Sequence, residues 1–154
     1  MSKISAGILL YRIRQGAIEV LLVHPGGPFF RSKDDGAWSI PKGESDGDDD
    51  LLAVARREFE EETGQTPSGP FIALEPIKQK GGKVVHAWAY QGDCDPAQIK
   101  SNTFSLEWPP KSGRTQEFPE IDRAGFFGLV EAKRKINPAQ AALLEELAAS
   151  LRHE

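Results

Sequence analysis

The sequence has little cysteine, little histidine and no long apolar run, and each shortage excludes a class of protein. One cysteine rules out an internal disulfide, and three histidines with it form no closely spaced set of zinc ligands. The apolar stretches fall well short of the roughly 18 residues that a transmembrane helix needs, and the charged, alternating N-terminal segment is unlike a signal peptide. We therefore expect a soluble, cytoplasmic protein without a membrane partner.

The charge is nearly balanced overall but unevenly distributed. Nineteen Lys and Arg stand against 23 Asp and Glu, and the formal net charge of −4 argues against a nucleic-acid duplex as partner. Nine of the acidic residues, with only two arginines, lie between Gly43 and Glu62. The acidic character is therefore concentrated in one segment, which is the first candidate for a functional site.

Length and pattern together predict one domain over residues 1–154, of the α/β or α+β class. A chain of this length, 39% apolar, can bury a core of its own. Period-two alternation and turn residues predict a mixed sheet with helices packed on it. The predicted strands are 4–10, 18–23, 38–41, 71–78, 83–91 and 103–108. The predicted helices are 51–63, 130–136 and about 139–153, and the predicted loops include 25–36 and 109–119.

The helix over Leu51–Thr63 has the clearest predicted boundaries. The acids of Asp48–Asp50 suit a helix N-terminus, where side-chain oxygens cap free N–H groups and meet the positive end of the dipole. No Gly or Pro interrupts the helix, and Gly64 stands where a helix commonly ends. This helix therefore carries most of the acidic segment.

Three glutamates of this helix are predicted to lie side by side. At about 100° per residue, Glu58, Glu61 and Glu62 share an arc of roughly 100° that borders the apolar stripe. Each like-charged pair costs a few tenths of a kcal/mol in an isolated helix, so something must offset the repulsion. A hard divalent cation such as Mg²⁺ would do so through oxygen ligands. The alternative is a solvated acidic face, of which Glu60 is a member.

The residues around these glutamates resemble the Nudix box. That pattern is Gly, five residues, Glu, seven residues, Arg-Glu, a bulky apolar residue, any residue, Glu-Glu, any residue, Gly and an apolar residue. Residues 43–65 match seven of the nine defined positions in register, namely Gly43, Arg57, Glu58, Phe59, Glu61, Glu62 and Gly64. Two positions depart, because Asp49 stands where the pattern has Glu and Gln65 where it has an apolar residue.

This resemblance implies a fold and an activity. It implies a Nudix-type α/β/α sandwich, with a mixed, partly antiparallel sheet and the box helix packed on it. Nudix hydrolases cleave a nucleoside diphosphate linked to another group and use Mg²⁺ or Mn²⁺. The implied function is a metal-dependent pyrophosphohydrolase, monomeric or homodimeric, in which water attacks phosphorus. Its substrate is a small nucleotide such as a dinucleoside polyphosphate or a (d)NTP.

The resemblance also assigns roles to individual carboxylates. Glu58 and Glu62 would be the main metal ligands, with Glu61 a further ligand or the general base. Arg57 would orient the glutamates through its fork of donors. Some family members recruit a base from a late loop, and Glu120 is the candidate here. Glu117 and Glu107 are less secure candidates for that role.

Three further residues are expected to contact the phosphates. Lys42 and Gly43 lie in a predicted turn before the box helix, and Lys83 lies at the tip of a basic hairpin. A simply solvated lysine is the alternative interpretation for both cations.

Two other functions compete with the enzyme. One is a catalytically inert Nudix-like module that senses a nucleotide, against which the retained Arg57, Glu58, Glu61 and Glu62 argue. The other is a structural acidic helix in an interaction protein, which leaves Gly43 unexplained.

Overall fold

The computed structural model describes residues 3–45 and 50–152, and these form a mixed β-sheet with helices on both faces. The strands are β1 (Ile4–Arg14), β2 (Ala17–Pro25), β3 (Lys42–Ser45), β4 (Phe71–Ala73), β5 (Ile77–Lys78), β6 (Val84–Gln91), β7 (Thr103–Glu107), β8 (Thr115–Pro119) and β9 (Ile121–Gly128). The helices are α1 (Leu51–Thr63), α2 (Leu129–Lys135) and α3 (Ala141–Arg152), and short 3-10 turns cover Pro96–Gln98 and Pro138–Gln140. The predicted α/β/α sandwich is confirmed.

The main sheet runs in the order β4-β6-β1-β2-β9, with β3 paired to β1 and β5 paired to β6. β1 and β6 are parallel, whereas the other pairs in this sheet are antiparallel. β7 and β8 form a separate antiparallel hairpin. This topology brings the start of β9 beside the end of β2, at the edge of the sheet near β3.

Side-chain alternation along β1 builds a separate core on each face of the sheet. Leu9 and Tyr11 pack with the buried leucines of α3, while Ile8 and Leu10 pack with Phe59 of α1. All of these side chains are almost fully buried. α1 is therefore pressed against the sheet along its apolar stripe, which fixes the direction in which its acidic residues point.

α1 begins and ends where the sequence predicted. The side chain of Asp50 accepts hydrogen bonds from the backbone N–H of Leu52 and of Ala53, and Gly64 ends the helix with a φ of 76°. The Gly64 N–H donates to the carbonyl oxygen of Glu60 at 2.8 Å, a bond typical of a glycine C-cap. Asp48 and Asp49, which were also expected near this N-terminus, lie outside the described residues.

The predicted turn at Lys42 and Gly43 is wrong. Both residues lie in β3, where they pair with Gly7 and Ala6 of β1. The composition of the segment is turn-like, but its backbone is extended because β1 offers it a partner. The two residues are therefore held by the sheet rather than by a loop.

Three other local predictions are also wrong. The predicted loop over 109–119 contains β8. The predicted strand over 38–41 makes only isolated bridges, and that over 71–78 is divided into β4 and β5. Each difference depends on pairing with distant strands, which local patterns do not show. No helix in the described ranges is long and apolar enough to cross a membrane.

Candidate active site

The candidate site is a cleft of about 150 Å³ where the start of β9 approaches α1 and β3. Its polar lining consists of Ser39, Lys42, Glu62 and Glu120. Its apolar lining consists of Val23, Pro25, Ile40 and Ile121. The cleft thus brings a box glutamate, a lysine of β3 and the late glutamate together, although they are far apart in the sequence.

Glu62 is the most unusual group in this cleft. The residue is only 8% exposed, and its Oε2 atom has no hydrogen-bond partner among the residues that the structure describes. Burial raises the pKa of Glu62 to about 8, and the charges of Glu58, Glu120 and Glu61 add to the effect, while Lys42 opposes it. A buried oxygen without a donor is costly, so this atom is a strong candidate to bind a cation.

Glu58 lies one turn earlier on the same side of α1 and is half-buried. A Cβ atom at Gly43 would overlap its carboxyl group, with only 2.7 Å left to the Oε1 atom. Glycine at position 43 therefore allows the backbone of β3 to lie against this carboxylate. Burial raises the pKa of Glu58, and so do the charges of Glu61 and Glu120, while Arg57 lowers it.

Arg57 and Glu61 are not part of the lining of the cleft. Both are exposed, and with Arg56 and Glu60 they line an open groove on the outer side of α1. The three predicted metal ligands are thus divided, with Glu58 and Glu62 toward the sheet and Glu61 toward solvent. The charges of Arg57 and Glu61 affect the pKa of Glu58, and the charge of Glu61 also raises the pKa of Glu62. The predicted roles of these two residues stay predictions.

Glu120 occupies the bend between β8 and β9 and lines the cleft. Its negative charge contributes to the raised pKa values of Glu58 and Glu62, after burial as the main cause. The two less secure candidates lie elsewhere on the β7–β8 hairpin. The Glu107 carboxylate accepts from the backbone N–H of Lys111 at 3.1 Å, and that of Glu117 accepts from the Thr103 hydroxyl at 3.3 Å.

Lys42 supplies the positive charge in the cleft. Its half-buried ammonium has a pKa lowered to about 8, mainly by burial and also by the nearby charge of Lys83. Lys83 itself forms an ion pair with Glu44 at 3.3 Å. Two neighbouring lysines beside acidic groups suit the binding of an anion such as a phosphate, whose charge is also neutralised by a metal cation.

The donors in the cleft fit magnesium. They are hard carboxylate oxygens, and one of them, Glu62 Oε2, lacks a hydrogen-bond donor in the described part of the chain. Within residues 3–45 and 50–152, no three His, Cys, Asp or Glu side chains meet in an arrangement that could hold a metal alone. Magnesium typically binds through one or two carboxylates and completes its shell with water and substrate phosphates, so Glu58 and Glu62 satisfy this requirement.

Sequence reasoning missed Ser39, Pro25 and Ile121, because only the tertiary fold brings them to the box helix. It had placed residues 38–41 in a strand and Pro25 at the start of a loop. A signal that could have found Ser39 is its position three residues before Lys42, in the segment that leads into the box.

Similarity to known proteins supports the resemblance to the Nudix family. The family model of the NUDIX domain matches residues 1–147. The chain is 29% identical over 131 residues to an RNA pyrophosphohydrolase of Brucella anthropi, covering 75% of this chain and 70% of that protein. It is structurally similar to C. elegans Ap4A hydrolase in a binary complex, with a TM-score of 0.65, 24% identity and 99% of each chain covered.

A third similar structure is the NUDIX domain of Shewanella oneidensis NrtR complexed with ADP ribose. Its TM-score is 0.62 at 16% identity, with 98% of this chain and 89% of that chain covered. The chain therefore belongs to the Nudix family. The predicted class of enzyme, a Nudix hydrolase, is confirmed at the level of that family.

Proposed function

We propose that this protein hydrolyses a phosphoanhydride bond in a small nucleoside diphosphate derivative, with magnesium or manganese as cofactor. The observation that carries the proposal is the unpartnered, buried Oε2 atom of Glu62, which shares one cleft with Glu120 and Lys42 in the described part of the chain. A pyrophosphate is itself multiply anionic, so such a cleft holds it only when cations neutralise both partners. Bound magnesium would supply that positive charge and increase the electrophilicity of the phosphorus.

The residues of the cleft divide the remaining tasks. Glu58 and Glu62 would hold the metal, with the backbone of Gly43 close beside Glu58. Lys42 would neutralise a phosphate oxygen from the side of β3. Glu120 lies in a bend that also lines the cleft, so it would accept the proton of the attacking water. Arg57 would tune Glu58 by its charge from the outer side of the helix.

The substrate is proposed to be a dinucleoside polyphosphate or a (d)NTP, and an RNA that carries a phosphoanhydride bond is a second candidate. Dinucleoside polyphosphates are proposed because the Trp38–Glu44 segment resembles the lead-in of Nudix hydrolases that cleave them. An Ap4A hydrolase of C. elegans has a similar fold. The RNA candidate follows from the similarity to the RNA pyrophosphohydrolase of Brucella anthropi. The cytoplasmic location stays a prediction.

The test is hydrolysis of a nucleotide panel by purified protein in Mg²⁺ or Mn²⁺. Products would be resolved by chromatography, and reaction in ¹⁸O-labelled water would show which phosphorus is attacked. We expect metal-dependent turnover of at least one compound, abolished by EDTA and by Glu62→Gln. The exposed Glu60→Gln is the matched control on the same helix and should retain activity.

An inert nucleotide sensor would give a different result. Saturable binding of a nucleotide with no released phosphate or nucleotide, for every compound and both metals, would contradict the enzyme and favour the sensor. A protein that shows no nucleotide binding and no turnover would contradict both functions.

A further inference from the structure

Gly26 lies against the segment that carries Glu120. Its backbone N–H donates to the carbonyl oxygen of Glu120 at 2.9 Å. Gly26 is buried, and a Cβ atom built on it would overlap the carbonyl oxygen of Pro119 and lie 3.0 Å from the carbonyl carbon. Because the obstacle is backbone, no side-chain rotation can relieve it. Any residue other than glycine at this position must therefore push the β8–β9 bend away.

The strand pairing next to this contact is irregular. His24 pairs with Arg123 and Pro25 pairs with Ile121, so Asp122 is an extra residue in β9. Bulges of this kind redirect side chains and are common beside active sites. The buried ring of His24 holds the bulge, because its Nδ1 atom lies 2.7 Å from Asp122 Oδ1.

A second set of contacts holds the same bend from the other side. The Glu120 N–H donates to the carbonyl oxygen of Asn102 at 2.9 Å. The other ring nitrogen of His24, Nε2, lies 2.6 Å from the carbonyl oxygen of Lys33, in the loop that follows Gly26. The bend is thus fixed at both backbone groups of Glu120, which sets the point from which its exposed side chain reaches the cleft.

We propose that Gly26 is a positioning residue that sets the distance between the Glu120 carboxylate and the box glutamates. The inference rests on the proposed function, in which Glu120 accepts the proton of the attacking water. Proton transfer requires the base within hydrogen-bond reach, and a misplacement of about 1 Å can cost on the order of 10²-fold in rate. Glycine is therefore required at position 26 for catalysis as well as for packing.

The experiment is a double-mutant cycle between Gly26→Ala and Glu120→Gln. In the wild-type background, we expect Gly26→Ala to lower kcat between about 10-fold and 100-fold with little change in KM. In the Glu120→Gln background, the same substitution should cost less than about threefold, because the residue through which it acts is already disabled. Gly128→Ala is the control, since a Cβ there meets nothing within 4 Å and its φ of −63° suits alanine.

Asp122 provides a second pair of variants if Gly26→Ala does not fold. Asp122→Leu removes the partner of His24 and should lower kcat only while Glu120 is present. Asp122→Asn keeps an oxygen acceptor and should restore most of the activity. For either position, an equal loss of kcat in the wild-type background and in the Glu120→Gln background would overturn the positioning role.

Crystal structures of the wild type and Gly26→Ala give a readout that needs no activity. The Glu120 carboxylate should lie farther from Glu62 in the variant, and an unmoved carboxylate would overturn the inference. If wild-type protein hydrolyses nothing in the panel, the proposed function fails while this structural comparison still decides the role of Gly26.

Discussion

The two sides of α1 carry the same kind of residue in different physical states. On the side toward the sheet, Glu62 is almost fully buried and its pKa is raised, mainly by burial. On the outer side, Glu60 and Glu61 are exposed and line an open groove with Arg57. Burial against β3 and the β8–β9 bend thus distinguishes the inner carboxylates of α1 from the outer ones. Water screens the charges of the outer carboxylates but not those of the inner ones, so the inner carboxylates form the candidate site.

The largest difference in kcat/KM is expected between two variants that each replace one glutamate, one on the inner side and one on the outer side of α1. In the proposed function Glu62 holds the metal, so Glu62→Gln would remove several kcal/mol of charge stabilisation, and we expect kcat/KM to fall about 10³-fold. Glu60→Gln should stay within about twofold of the wild type, because an exposed carboxylate away from the cleft contributes little. Steady-state kinetics at saturating Mg²⁺ checks both, and equal losses would remove the distinction between the sides.

The next largest effect on activity is expected from substitution of Glu120, compared with substitution of Glu117 on the neighbouring β7–β8 hairpin. Removing a general base typically costs 10²-fold or more, so Glu120→Gln should lower kcat by about that factor. Glu117→Gln should leave kcat nearly unchanged, since that carboxylate accepts a hydrogen bond from Thr103 away from the cleft. Steady-state kinetics of the two variants measures both effects, and a kcat of Glu120→Gln within about twofold of the wild type would assign the base elsewhere.

The inner carboxylate should also make the metal-free protein less stable as pH rises. Because its pKa rises from 4.5 to about 8 on folding, Glu62 binds more protons in the folded state across that window. The free energy of unfolding therefore falls as pH rises from about 4.5 to 8. One pKa unit corresponds to about 1.4 kcal/mol, so the loss is on the order of a few kcal/mol.

Thermal unfolding in EDTA at pH 5 and pH 8 measures this loss. Glu62→Gln should raise Tm by several degrees at pH 8 and change it little at pH 5, whereas Glu60→Gln should follow the wild type. Added Mg²⁺ should raise the Tm of the wild type at pH 8 and leave Glu62→Gln unaffected. A wild-type Tm that is level between the two pH values would contradict the burial of an ionising Glu62.

The smallest effect should come from the cation of the cleft. In the proposed function Lys42 neutralises a phosphate oxygen of the substrate, so we expect Lys42→Gln to raise KM about tenfold with kcat changed less. Lys80→Gln, in the turn near Lys83, is the control and should behave as the wild type. Similar increases in KM for both variants would indicate a general effect of net charge rather than a contact by Lys42.

The sequence was sufficient to predict the bounds of α1 and the family to which the chain belongs. The caps Asp50 and Gly64 and the uninterrupted run between them are local signals, so the predicted ends of the helix are confirmed. The box pattern depends on spacing within this one helix and its lead-in, and the family match confirms it. Capping signals of this kind depend on residues that are neighbours in the sequence, so they can be recognised without knowledge of the tertiary fold.

The sequence did not predict the elements whose conformation depends on pairing with strands distant in the sequence. β3 contains Gly43 next to Lys42 and follows Pro41, a turn-like composition that only pairing with β1 overrides. β8 is largely exposed and becomes a strand through β7, with Phe118 opposite Phe104. Glu120 directly follows β8. The resemblance to the Nudix family suggested this carboxylate, whereas its location in the cleft beside α1 depends on the tertiary fold.

Calorimetric titration of the metal-free protein with Mn²⁺ at pH 7.5 tests most directly whether a dication resolves the repulsion on the inner side of α1. We predict saturable binding near one equivalent to the wild type and to Glu60→Gln, and at least tenfold weaker binding to Glu62→Gln. Equal affinity in all three proteins, or no binding to the wild type, would contradict the account.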